Sequence, residues 1–340
     1  MANGNTSPSR LGQVNGSGAV DALFLKVFSG EILTTFEEFN VMKDLHTVRT
    51  ISNGKSAQFP VTGVATAKYH TPGQNIADAD NSYLSAIKHA EKVITIDDVL
   101  LASTFIADID SLKNHYDVRS IYSQELGKAL AKRFDLATMK TLVAAARSSA
   151  TITGGNAGIA IDGGEAADFN ATVIQAKLFE AAQKLDENDI PNDGQRYAIL
   201  KPADYYTLLA SGQDAVKVSN RDFGGRGDVA TGSIPMVAGI RIFKSNHLAD
   251  VAIAEGSQDQ DDDNASNDVF GGSGTGYNGD LSKTFIIGGH PSAIGTVKLL
   301  DLATESDYKV ELQGTLFVAK YAMGHGVLRP EAAFEIKDAD

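Results

Sequence analysis

The chain contains no cysteine. That excludes a disulfide framework, thiolate metal sites, thiol redox chemistry and any cysteine nucleophile, and it fits a reducing compartment. Basic charge is also in short supply, with 30 Lys and Arg against 43 Asp and Glu and a formal net charge of −13. No block of Lys or Arg breaks that acidity, which argues against a surface that grips nucleic acid electrostatically. Acidity of this size serves solubility. No run approaches the ~18 apolar residues of a membrane span. The opening MANGNTSPSR lacks the apolar stretch behind a basic start that marks a secretory signal. These absences predict a soluble chain made in a cytoplasm.

Motifs that carry chemistry are missing as well. The seven histidines, at positions 46, 70, 89, 115, 247, 290 and 325, include no H-E-x-x-H pair, so no zincin helix is present. Asn53-Gly54-Lys55-Ser56 resembles the tail of a phosphate loop, but the required earlier glycine is replaced by Arg49 and no helix follows. The glycines from Gly271 to Gly276 lack the flanking strand and helix of a dinucleotide fingerprint. Asp259, Asp261 and Asp263 alternate as in a calcium loop, yet Asn264 stands at the sharp-turn glycine and Phe270 at the bidentate glutamate. Arg226-Gly227-Asp228 sits in a glycine-rich turn and reads as chance, and no G-x-S-x-G elbow occurs. A carboxylate pair of the glycosidase kind is spatial, and nothing in the sequence selects one among the 43 acids. The sequence therefore offers no catalytic residue, metal ligand or cofactor site.

What is present is periodicity and punctuation. The 340 residues, 43% hydrophobic and 21% charged, allow about two domains of ~150 residues each with a core that needs neither metal nor disulfide. Residues 1–20 are rich in Gly, Ser and Asn and predict a flexible lead. From Ala22 to Asn40, Leu23, Phe24, Val27 and Phe28 keep helical spacing; Ile32, Leu33 and Phe36 continue the stripe past Gly30. Such aromatics need a partner surface, either the local core or a neighbouring molecule. Between Val48 and Val99, Asn53-Gly54 is a hairpin-turn signal, Thr71-Pro72-Gly73 marks a turn, and Ile94 and Ile96 alternate as on a strand with one covered face. This is a two-stranded excursion that cannot bury both faces alone.

Residues 108–147 predict the longest helix. Leu112, Tyr116, Ile121, Tyr122, Leu126, Ala129, Leu130 and Phe134 form its stripe, acids stand at its start, and Lys140 and Arg147 stand at its end. A helix of that length approaches ~60 Å and is a structural spine. Ser148–Gly164 reads as a small-residue loop, and a second helix is predicted over about Asn170–Asp186. From Arg196 short strands (RYAIL, GIRIF, TFIIGG, VELQGTLFVAKYAMG) alternate with a helix opening at Pro202. Residues 255–283 form an Asp, Gly, Ser and Asn insertion.

The C-terminal stretch AKYAMGHGVLRPEAA, Ala319–Ala333, combines breaker residues, a histidine and an arginine without catalytic neighbours. Five further segments accompany it in order: ALFLKVFSGEILTTF (Ala22–Phe36), SNGKSAQFPVTG (Ser52–Gly63), HAEKVITID (His89–Asp97), NHYDVRSIYSQELG (Asn114–Gly127) and SAIGTVKLLDLATE (Ser292–Glu305). Together they resemble the major capsid proteins of short-tailed (podovirus, Autographiviridae-type) double-stranded DNA bacteriophages. The similarity is strongest at Lys55–Pro60 and Tyr321–Ala333 and weakest at 148–195 and 250–283.

That resemblance implies an α+β, HK97-like fold with an N-terminal arm at 1–47 and an E-loop at 48–97. It also implies a P domain with the spine helix at 98–194, an A domain at 195–310 carrying the insertion, and a return to the P domain at 311–340. It implies a structural protein, not an enzyme. Hexamers and pentamers would close an icosahedral shell around double-stranded DNA held without sequence-specific contacts. A scaffolding protein, a portal at one vertex and a possible decoration protein would be partners, with no membrane and no cofactor. Assembly in the bacterial cytoplasm would give a procapsid that expands into the virion capsid. An acidic wall beside packed DNA would avoid sticking to it. The implied assembly contacts are Phe24, Phe28 and Phe36 for the arm, Lys55, Phe59 and Pro60 for the E-loop strand, and Tyr321, His325 and Arg329 for the last P-domain turn. Three alternatives stay open on the residues alone: an encapsulin-like nanocompartment around protein cargo, an α/β enzyme with an unrecognised site, and an extracellular surface-layer protein.

Overall fold

The computed structural model describes residues 32, 34–36, 40–63, 65, 67–78, 83–84, 87–107, 118–152, 154–210, 236–248, 277 and 281–338. Phe24, Phe28, the predicted helix start at 108–117 and most of the 255–283 insertion lie outside them. In chain order the strands are β1 (Thr47–Thr50), β2 (Ser56–Thr62), β3 (His89–Thr95), β4 (Leu100–Ala107), β5 (Ile159–Asp162), β6 (Tyr197–Leu200), β7 (Met236–Val237), β8 (Ile240–Lys244), β9 (Thr284–Gly289), β10 (Ile294–Lys309), β11 (Gly314–Val327) and β12 (Ala333–Lys337). The helices are α1 (Val118–Arg147), α2 (Ala171–Glu187) and α3 (Pro202–Ala210).

The chain forms two compact units. The larger comprises Asn40–Val99, Lys132–Asp301 and Ala322–Asp340. Its centre is a six-stranded sheet in the order β5-β12-β9-β6-β8-β7. β6 runs parallel to β8 and antiparallel to β9, while β12 runs parallel to β5 and antiparallel to β9. All four residues of β6 are buried, as expected of an apolar strand covered on both faces. α2 buries Ala171, Ile174, Leu178, Ala181, Ala182 and Leu185 at helical spacing. The Asn170 side chain caps it by accepting from the backbone N–H groups of Thr172 and Val173. α3 opens on Pro202, with Asp204 in its first turn.

Three sequence expectations are corrected here. Ser148–Gly164 is not loop throughout, because it contains β5, paired with β12 from Phe334↔Ile159 to Lys337↔Asp162. Small and acidic residues hid this strand. Gly158 allows its approach, since a Cβ there would lie 2.2 Å from the Ala145 carbonyl oxygen. Asn53-Gly54 is not a hairpin turn, although Gly54 has φ +116°. The strands on either side of it do not pair: β1 lies parallel to β10 and β2 lies antiparallel to β3. The stretch Val310–Gly324 is not all strand, because residues 310–313 turn between β10 and β11 with Gln313 at φ +49°.

α1 accounts for 30 residues of the predicted helix, about 45 Å at ~1.5 Å per residue. Its predicted stripe holds at Leu130 and Phe134, which are buried, and fails at Ile121 and Tyr122, which are exposed. From Thr138 to Ala146 every residue is buried. An alanine-rich end with several short side chains can be covered on all sides.

The smaller unit comprises Met1–Phe39, Leu100–Ala131 and Leu302–Tyr321. β4 pairs antiparallel with the first part of β11, from Gly314↔Ala107 to Tyr321↔Leu100. Ile32 and Thr34–Phe36 are helical, and Ile32, Thr35 and Phe36 are buried. Gly127 of α1 makes room for them: a Cβ there would meet the Thr35 Cβ at 2.9 Å and the Ile32 carbonyl at 3.0 Å.

Candidate assembly surfaces

β2 and β3 form a two-stranded sheet of their own, and two strands alone are marginal in water. Only the root is covered. Ala57, Ile94 and Ile96 join Val297, Ala322 and Leu328 in a buried cluster, with Ile51, Phe59 and Leu300 packed against it. The Arg49 guanidinium lies 5.5 Å from the centre of the Phe59 ring, a cation–π contact, and donates to the Gln58 carbonyl at 2.8 Å. Lys55 is exposed and its carbonyl accepts from the Ile96 N–H at 2.8 Å. Pro60 is exposed and pairs with Glu91; both strands are edges, where proline is tolerated.

Beyond the root, the hairpin shows large apolar side chains to solvent: Tyr69, Ile76, Leu84, Ile87 and Val93. Tyr69 stands beside a hydrogen-bonded frame. The Tyr83 hydroxyl donates to Gln74 Oε1 and accepts from the Thr71 N–H at 3.0 Å. His70 bonds the Gln74 carbonyl through Nε2 at 2.9 Å and packs its ring 5.3 Å from that of Tyr83. Exposed apolar side chains of this size are the kind that partner surfaces cover.

The root crosses β11 at two glycines. A Cβ on Gly324 would lie 1.9 Å from the Thr95 carbonyl oxygen, and one on Gly326 would lie 2.7 Å from the Ile94 side chain. Between them His325 is buried inside the strand. Its Nδ1 and Thr296 Oγ1 are hydrogen-bonded at 2.8 Å, and its backbone N–H donates to the Tyr277 hydroxyl at 3.0 Å. That hydroxyl in turn donates to Asp97. The Phe134 ring stands 5.2 Å from the His325 ring and 5.7 Å from that of His46. His46 is buried too; its Nδ1 donates to the Met42 carbonyl at 2.6 Å, and its Nε2 meets no hydrogen-bond partner among the described residues. Next to Phe134 in the chain, the fully buried Asp135 accepts from the N–H groups of Val41 (3.0 Å) and Met42 (3.1 Å) and from His247 Nδ1 (2.9 Å).

Burial holds both histidines neutral. Desolvation, then the neighbouring His46, pushes His325 down from near 6.5 to about 3. Desolvation lowers His46 as well, against the opposing Met42 carbonyl and the Asp135 and Asp44 charges. The unfolded chain takes up these protons near pH 6.5 and the folded chain takes them up only at lower pH, so stability falls as pH drops below that value. His325 alone accounts for a loss of about 2 kcal/mol between pH 7 and pH 5. Urea unfolding of the unassembled chain at the two pH values should show that loss, and His325→Asn should flatten it. An equal decline in the variant would assign the acid sensitivity elsewhere.

Residues 58–337 match the family described as Gp10A-like: Major capsid protein. The chain belongs to this family. It is 37% identical to the major capsid protein of Escherichia phage T7 over 96% of both chains. Among solved structures, the capsid of cyanophage P-SCSP1u matches at TM-score 0.74 and 40% identity over 99% of each chain. The mature capsid of bacteriophage PhiM1 matches at TM-score 0.67 and 21% identity over 88% of this chain and 87% of that one. The fold is α+β and HK97-like, and this major capsid protein is a structural component of a virion that associates with its own copies. Its family is not one of enzymes.

Seven of the nine expected contacts fall among the described residues. Phe36 lies in the smaller unit, buried within its own chain, with its ring edge-on to Tyr321 at 6.3 Å. Lys55, Phe59 and Pro60 lie at the hairpin root, and His325 lies beneath it. Arg329 donates from Nε to Glu331 at 2.8 Å, while its backbone N–H bonds the Ala293 carbonyl. Sequence reasoning missed Asp135, Tyr69 and the ion pair of Arg147 with the buried Glu335. Asp135 had a signal, as a lone acid among the residues that α1 buries. Glu335 had a weaker one, flanked by Phe334 and Ile336 in a strand buried on both faces.

Proposed function

We propose that this major capsid protein builds an icosahedral head of hexamers and pentamers around double-stranded DNA. Assembly runs in the bacterial cytoplasm through a scaffold-guided procapsid, with a portal at one vertex. The β2–β3 hairpin carries this reading. A two-stranded sheet with a covered root and exposed apolar residues has its stable place on another copy. We assign the hairpin and its flanks, 48–97, as the E-loop and 1–47 as the arm. The P domain is 98–194 with 311–340, and the A domain is 195–310.

Expansion of the shell is a repacking between two arrangements of one subunit fold. The hairpin is its natural moving part, because few of its own residues hold it in place. The acidic chain lines packed DNA without sequence-specific contacts, and a decoration protein has the outer face available. Electron microscopy of the purified chain, expressed with and without a scaffolding protein, tests the reading. Closed polyhedral shells or rings of five and six are expected with the scaffold. A monodisperse monomer under both conditions would overturn it.

A further inference from the structure

The larger unit carries a groove of about 600 Å³ bounded by Phe179, Ala182, Gln183, Asp186 and Glu187 of α2 and by Ala238 in the tight β7–β8 turn. Its floor is apolar and Phe179 is half exposed, while Asp186, which accepts from the buried Arg196 through Oδ1 at 2.6 Å, and Glu187, which accepts from the Gln183 amide at 2.8 Å, set a carboxylate rim. The rim belongs to an acidic region: from Glu165 to Arg196 the sequence holds seven Asp and Glu against Lys177, Lys184 and Arg196. The occupant of such a groove should be an aromatic or aliphatic side chain flanked by positive charge.

One described segment of this chain has that character. Tyr69 is fully exposed, between Lys68 and His70. Its base is held by the Thr71, Gln74 and Tyr83 contacts beside it, so presenting it requires little ordering. In a chain with 43 acidic residues, Leu45–Ala77 contains none, and it carries Arg49, Lys55 and Lys68. Knob and groove match in shape class and in sign of charge. A Tyr69 with no covering cannot be filling the groove of its own chain.

We propose that Tyr69, flanked by Lys68 and His70, inserts into the α2 groove of a second copy, stacking on Phe179 with Lys68 against the Asp186–Glu187 rim. The contact is heterologous, joining two different patches, and such contacts close into rings when the rotation allows. It rests on the shell reading above and gives the hairpin one specific address on its neighbour.

The absence of cysteine makes the test clean, because any disulfide must come from introduced residues. Particles of the Tyr69→Cys, Gln183→Cys double variant are oxidised in air and run on a non-reducing gel. A disulfide needs Cβ atoms within roughly 4.5 Å. The expected result is a ladder of three or more linked copies that collapses on reduction, with no ladder from a Leu312→Cys, Gln183→Cys control. Intact particles with no Tyr69–Gln183 ladder, or an equal ladder from the control, would overturn the proposal and leave the shell reading standing. If the double variant forms no particles, a one-to-one mixture of the two single variants reads the same contact: linked pairs support it and their absence overturns it. Failure of the unsubstituted chain to form particles would instead defeat the shell reading.

Discussion

Gly324→Ala should lose its folded hairpin root and with it the assembly-competent chain. The added Cβ would sit 1.9 Å from the Thr95 carbonyl oxygen, 2.9 Å from the Thr95 carbonyl carbon and 3.0 Å from the Ile96 Cα. All three are backbone atoms, so no rotamer change relieves the clash. One of the two segments must move. β11 is a 14-residue strand paired with β10, whereas β3 has only β2 beside it in a two-stranded sheet, so the end of β3 is the part that gives way. Its displacement breaks the Asp97 N–H bond to the Met323 carbonyl and draws Ile94 and Ile96 out of the cluster with Val297, Ala322 and Leu328. Overpacking generally costs about 1–3 kcal/mol; a backbone clash that also opens a cluster belongs at or above the top of that range. Thermal unfolding and particle yield measure it. Gly73→Ala is the matched control, with open space around its Cβ and only the strain of φ +93° to bear. A Gly324→Ala chain that melts within a degree or two of the unsubstituted one would show that the crossing is not as close as described.

The same glycine shows where sequence reading stops. Ala319–Ala333 stands out for its breakers, but the structure runs β11 straight through Gly324 and Gly326 to Val327. These glycines mark the passage of another strand, not a turn. A glycine's local signature is the same in both cases, and only the tertiary neighbour separates them. α2 was legible to within a residue because its period and its Asn170 cap are local signals. The covered face of Ile94 and Ile96 was legible because alternation is local. The pairing of β1 with β10, more than 240 residues away in the chain, has no local signal, so Asn53-Gly54 reads as a hairpin turn on sequence alone. β5, with Ala160 and Asp162 between and after its isoleucines, is too short to show alternation. The assembly contacts were legible only as residue types, since burial of Phe36 or exposure of Tyr69 depends on which surfaces the fold brings up.

Breaking the Arg147–Glu335 pair should strongly destabilise the larger unit, and the two halves should not be equal. Arg147 ends α1 and donates from Nε to Glu335 Oε2 and from Nη2 to Oε1, both at 2.7 Å. The Thr284 hydroxyl adds a third donor to Oε1 at 2.6 Å. The Glu335 side chain is fully buried, whereas that of Arg147 is 30% exposed. Removing the arginine therefore strands a carboxylate that water cannot reach, and Arg147→Met should cost about 3–5 kcal/mol, the range for an uncompensated buried charge. Removing the carboxylate strands a guanidinium that can turn toward solvent, so Glu335→Ala should cost less, on the order of 2–3 kcal/mol. The double variant Arg147→Met, Glu335→Leu should recover part of the loss, because no charge is left unpaired. Denaturant unfolding of the three variants decides the order. If each single change costs under about 1 kcal/mol, the pair behaves as an ordinary surface ion pair and the burial argument fails. If the order holds, the pair fastens the end of the spine helix to β12. The strand it secures lies between β5 and β9 in the central sheet, so losing the pair would loosen the sheet as well as the helix end.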